Sequence, residues 1–229
     1  VTFWVSKDSG SEDAIAYVIQ SGLGLPDEAY YREEAHAETL SAYEKHVAEM
    51  LEFLDPARLF GLGAEVAAHR IVALEKELAA GHWDVVSTRD AVKTYNPCEF
   101  SELPTMTRAL LSGGNLPEHR VVNMMPSYLE HFESLFTSER MADWQLWATW
   151  HILRSRAAML PEEVGAKNFE FYGTKLSGAT QQRDRWKRAV GLAESLVGEE
   201  IGQVFVEKHF PASSKREMDE LVDYLIAAY

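Results

Sequence analysis

A single cysteine, Cys98, is all the thiol the sequence offers, so no disulfide can close within the chain and zinc sites built from several thiolates are excluded. Long apolar runs are missing too. None approaches the roughly 20 residues of a membrane-spanning helix, so no membrane insertion is expected. Positive charge is scarce: 22 Lys+Arg stand against 36 Asp+Glu, a formal net charge of −14 over 229 residues. That sign repels phosphate backbones, and nucleic acid is not an expected partner. The opening residues Val1-Thr2-Phe3-Trp4 carry no Met and no basic stretch leading into an apolar one, so no signal peptide is expected within these residues. Both a cytoplasmic and a secreted location stay open.

Catalytic signatures are equally sparse. The histidines are His36, His46, His69, His82, His119, His131, His151 and His209, and none is followed by Glu, so the zinc motif H-E-x-x-H does not occur. G-x-S-x-G and the phosphate loops are absent; Gly22-Leu23-Gly24 runs into Leu25-Pro26, which blocks a dinucleotide reading. No signature activates Cys98. No catalytic residue and no metal ligand is assigned, and the substrate-binding residues are unknown.

What the chain has is helical periodicity. Leu40, Tyr43, Val47, Met50, Leu51 and Leu54 form one apolar stripe, residues 63–80 are rich in helix formers, and Pro56 and Gly81 punctuate a helical hairpin. A short helix is expected over residues 99–111 and a short strand over 120–124. Pro126 opens a helix through Phe136, and a further helix covers 139–160, ended by Pro161. Residues 180–210 read as one long helix, and Ser214 with Glu217 matches a capping box for the last. The fold class is therefore mostly α, a single helical unit over 1–229 with at most one short strand pair. The pattern over 217–229 stops without Gly, Pro or a cationic last turn, and the chain reads as a fragment of something longer.

Some pairings invite a functional reading. Glu65 with His69, and Glu33 with His36, lie at helical spacing and could share a metal; surface charge pairing is the simpler account. Glu139 and Asp143 match an E-x-x-x-D spacing of zinc peptidases but lack the paired histidines upstream. Arg183, Arg185, Lys187 and Arg188 surround Trp186, which is expected to pack while the cations fan outward. Trp144, Trp147 and Trp150 at helical spacing read as core.

Two segments carry more than periodicity. Gln20-Ser21-Gly22-Leu23-Gly24-Leu25-Pro26-Asp27, followed by Tyr30-Tyr31, resembles the Q-x-G-L-x-L-P-D-x-x-Y-Y segment of the neprilysin-like zinc metallopeptidases. Phe171-Tyr172, Leu176-Ser177-Gly178, Arg185-Trp186-Lys187-Arg188, Gly198, Gly202, Val206, Phe210 and Lys215 resemble a second signature of that family in its order. Thr94-Tyr95-Asn96-Pro97 and the region from Val121 to Leu129 are similar to two further segments, so the resemblance spans essentially the whole chain.

The resemblance implies a zinc endopeptidase in which a helical N-terminal domain covers a C-terminal catalytic domain and encloses a chamber. This chain resembles part of the covering domain. Zinc is implied for the parent enzyme and not for this chain, which by itself is expected to be inactive. The implied partners are the C-terminal catalytic domain and peptide substrates. Tyr95, Asn96, Arg185 and Trp186 are expected to hold helices and loops in register. Ala189 stands where extracellular animal members carry a cysteine, which suits a bacterial member. The contrasting expectation is a stand-alone helical binding module. Surfaces that the catalytic domain covers should be exposed and apolar.

Overall fold

The computed structural model describes residues 1–229. In chain order the elements are β1 (Thr2–Lys7), β2 (Ala14–Ile19), α1 (Ala29–Arg32), α2 (Ala37–Leu51), α3 (Ala64–Gly81), β3 (Pro97–Cys98), α4 (Thr105–Gly113), β4 (Val121–Asn123), α5 (Pro126–Ser134), α6 (Met141–Arg156), α7 (Glu162–Phe169), a π-helix (Glu170–Lys175), α8 (Arg185–His209) and α9 (Ala212–Ala228). The chain is mostly α, as its periodicity dictates. It divides into two compact units, Val1–Ala179 and Thr180–Tyr229.

The strand content exceeds the single pair expected. Four strands form one sheet in the order β1-β2-β4-β3, with β1 and β3 antiparallel to their neighbours and β2 parallel to β4. The strand expected over 120–124 is β4. The remaining strands leave little period to read: β3 has only two residues, and β1 is exposed along nearly its whole length, so no alternating pattern develops. The turn joining β1 to β2 is built by Asp8, whose carboxylate accepts from the Gly10 amide (3.1 Å) and the Ser11 hydroxyl (3.1 Å).

In the first unit α3 is the shared wall of two cores. Ile71 packs among Tyr43, Met50, Leu51, Leu146 and Trp150, contributed by α2 and α6. Leu74 and Leu78 face the sheet and α5, among Val18, Val121, Tyr128, Phe132 and Trp144. The tryptophans at helical spacing are core residues as expected: Trp150 and Trp144 are buried, and Trp147 packs partly buried against both clusters.

The second unit is a pair of helices in which no side chain is buried. Two expectations fail here. Trp186 is 64% exposed, because it sits in the first turn of a helix with no core to receive it. Ser214 and Glu217 do not form a capping box: α9 begins at Ala212, directly after Pro211, which places both residues inside the helix. The long helix expected over 180–210 is present from Arg185 but is broken at Val197 (φ −138°, ψ 33°).

Candidate functional site

The most concentrated polar chemistry surrounds Glu75, in the middle of α3 and fully buried. Three donors converge on its two carboxylate oxygens. The Tyr31 hydroxyl donates at 2.6 Å, the Tyr43 hydroxyl at 3.1 Å, and His151 Nε2 lies at 2.8 Å. Each phenol is itself an acceptor. Tyr31 receives the Gly24 and Leu25 amides, both at 3.0 Å, and Tyr43 receives the Trp150 indole N–H at 2.8 Å. Burial first, and then the charge of Glu75, push both phenols well above the ordinary tyrosine range. The His151 ring also lies against Trp147, with centroids 4.3 Å apart.

This hub pins the segment after β2 that carries the first family signature. Besides the two amides held by Tyr31, the carbonyls of Ser21, Gly22 and Gly24 accept from Tyr128 (2.6 Å), Trp147 Nε1 (2.9 Å) and Tyr172 (3.0 Å). Gln20 and the main chain of Trp83 hydrogen-bond reciprocally at 2.8 and 2.9 Å. Glycine is required within the segment. A Cβ at Gly24 would overlap the Tyr43 hydroxyl, and Gly22 has φ +111° with the Trp147 ring 3.3 Å from where its Cβ would stand. Tyr172 belongs to the second signature, so the bond from its hydroxyl to Gly24 joins the two signatures directly, across 148 residues of chain. The π-helix that carries Tyr172 also buries Phe171, which stacks on His46 at 4.9 Å. A cleft of about 360 Å³ lies beside the pinned segment, lined by Gln20, Gly22, Leu25, Asp27, His82 and Trp83 among others.

The pairs singled out in the sequence do not assemble into a metal centre. His69 Nδ1 meets Glu44 at 2.9 Å rather than Glu65. His36 stacks on Tyr30, with centroids 4.2 Å apart. Asp143 holds Arg70 at 2.6 Å, tying α6 to α3. No group of three or more His, Cys, Asp or Glu side chains able to hold a metal is formed, so these residues do not fit the zinc that the resemblance implies. Cys98 is half-buried, and burial followed by the Glu102 charge raises its thiol pKa. Tyr95 and Asn96 have structural partners: Tyr95 donates to Asp8 at 2.7 Å, locking the β1–β2 turn, and the Asn96 side chain donates to the Lys93 carbonyl at 2.7 Å.

The sequence does carry a signal for Glu75 apart from any motif. It lies on the buried side of α3 with Ala68, Ile71, Leu78 and Ala79, and an acid inside an apolar stripe must find donors.

Comparison with known proteins gives these features a family. The profile for the N-terminal domain of peptidase family M13 matches residues 1–229. Neprilysin-2 of Drosophila melanogaster is 28% identical, over 89% of this chain and 29% of its own length. The zinc metalloprotease Zmp1 of Mycobacterium tuberculosis, solved in complex with an inhibitor, is 41% identical with a TM-score of 0.85, over all of this chain and 35% of that one. PepO from Lactobacillus rhamnosis shares the fold, with a TM-score of 0.81 at 20% identity over 99% of this chain and 37% of that one. The chain thus spans about a third of the length of these relatives. With its two signatures joined at Gly24 and the family profile matched from end to end, the chain belongs to peptidase family M13, within the family's N-terminal domain.

Proposed function

We propose that this chain is the non-catalytic N-terminal portion of a zinc-dependent metalloendopeptidase that cleaves peptides in an enclosed chamber, where it forms chamber wall and limits the size of substrate admitted. The observation that carries the reading is the match of residues 1–229 to the profile for the N-terminal domain of peptidase family M13. Zinc, in the parent enzyme, would polarise the scissile carbonyl and activate water. The residues of this chain supply rigidity: the Glu75 hub fixes an irregular segment against α2, α3 and α6. The expected partner is a C-terminal catalytic domain. Exposure along α8 and α9 of Val190, Ile201, Phe205, Leu221, Leu225 and Ile226 supports it, because a helix pair without a core needs an apolar surface to cover it.

The test compares this chain alone, its parent, and this chain mixed with the separately produced remainder of the parent. Fluorogenic peptides of increasing length, matched acidic and basic pairs, and a folded protein serve as substrates. This chain alone should bind no stoichiometric zinc and cleave nothing. The mixture should regain peptide cleavage that declines with substrate size, and the −14 charge should favour basic peptides. Hydrolysis by this chain alone, or equal cleavage of short peptides and folded protein by the parent, would overturn the reading.

A further inference from the structure

We infer that α8 is a two-state hinge, bent in this structure at Val197 and able to straighten into one continuous helix. Sequence pattern and backbone conflict along this helix. Trp186, Val190, Ala193, Val197, Ile201 and Val204 follow one another at spacings of 4, 3, 4, 4 and 3, which on an unbroken helix is a single apolar stripe running through the break. The backbone does not follow that pattern. Val197, at φ −138° and ψ 33°, leaves the helical region and divides the helix into two arms, 185–196 and 198–209. The break therefore takes the two halves of the stripe out of line, and straightening restores them to one face.

Three features keep the two forms close in free energy. No side chain of α8 is buried and Val197 itself is 46% exposed, so no core packing holds either form. Gly198 follows the break immediately and Gly202 lies one turn on, each lowering helix propensity. Neither glycine is needed for space or for an unusual backbone. Neither has a positive φ, a Cβ at Gly202 would meet nothing within 4 Å, and one at Gly198 would make only an ordinary contact with Glu194 at 3.6 Å. What remains is their effect on the helix itself. β-branched Val197 adds a preference for extended φ where the chain departs from the helix.

The test uses this chain with Cys98→Ser and spin labels at Ala189→Cys and Glu207→Cys, two exposed sites on either side of the break. A straight helix holds them about 27 Å apart, at 1.5 Å per residue. The expected result is a distribution with a component near that length and a shorter one. Gly198→Ala combined with Gly202→Ala should move the population toward the long component, by about fivefold per glycine. Amide exchange at residues 198–201 should be faster than at 188–192 and slow to match it in the double variant. Alanine favours the helix, so these variants test the hinge without endangering the fold. One narrow distance, unchanged by both alanines, with uniform exchange along the helix, would falsify the hinge.

Discussion

Glu75 shows how a single side chain sets the terms for its neighbours. A buried carboxylate is costly without donors, and here three arrive from α1, α2 and α6. The hydrogen-bond directions are forced. Tyr31 spends both lone pairs on the Gly24 and Leu25 amides, so its own proton has only Glu75 to meet. Glu75→Gln therefore sets an amide N–H₂ against a hydroxyl unable to accept, or against Tyr43 and His151, which already point inward as donors. We expect a loss of roughly 2–4 kcal/mol in urea denaturation with little change in slope. A loss below about 0.5 kcal/mol would mean that the hub is not satisfied as described.

At the scale of elements, the segment between β2 and α1 has no regular structure of its own and is shaped by side chains reaching it from α5, α6 and the π-helix. Its register depends on the Gly24 backbone lying against Tyr43. Gly24→Ala drives a methyl into the Tyr43 hydroxyl, displacing it from both Glu75 and Trp150, and should destabilise the protein by roughly 2–4 kcal/mol. Tyr43→Phe makes part of that room. In a double-mutant cycle the two substitutions should couple by at least about 0.5 kcal/mol. Strict additivity would place the strain of Gly24→Ala elsewhere.

For the whole molecule, the distribution of buried imidazoles sets an acid limit. Burial holds His46, packed beside Phe171 and Trp150, and His82, packed edge-on to Tyr128, down to about 4 from an ordinary 6.5. Their folded pKa values lie below the unfolded ones, so the unfolded chain binds more protons and stability rises with pH. The contribution is complete above about pH 6.5 and drains away as pH falls toward 4. At pH 4.5 a shift of this size amounts to roughly 2–3 kcal/mol for each histidine. His46→Phe keeps an aromatic ring beside Phe171 and removes one of the two groups. Its denaturation midpoint should therefore fall less than the parent's between pH 7 and pH 4.5. Identical acid sensitivity in the two proteins would contradict the assignment.

The helical class is legible in the chain read alone, because the apolar stripes of α2, α3 and α6 recur at 3.6 residues whatever surrounds them. So is the family, because a signature such as residues 20–27 is local and survives being read one residue at a time. Tyr95 and Asn96 were legible as structural residues for the same reason. That Glu75, Tyr31, Tyr43 and His151 share one site is visible in the folded chain and not before, because donors 32 to 76 residues away satisfy that carboxylate. The folded chain alone joins the strand legible at 120–124 with three others in one sheet, because β1 is exposed and β3 has only two residues to show a period. It alone left Trp186 exposed: burial depends on what lies opposite a residue, and α8 and α9 bury nothing between them. Periodicity reports the face a helix wants covered, and only the folded chain reports whether anything covers it.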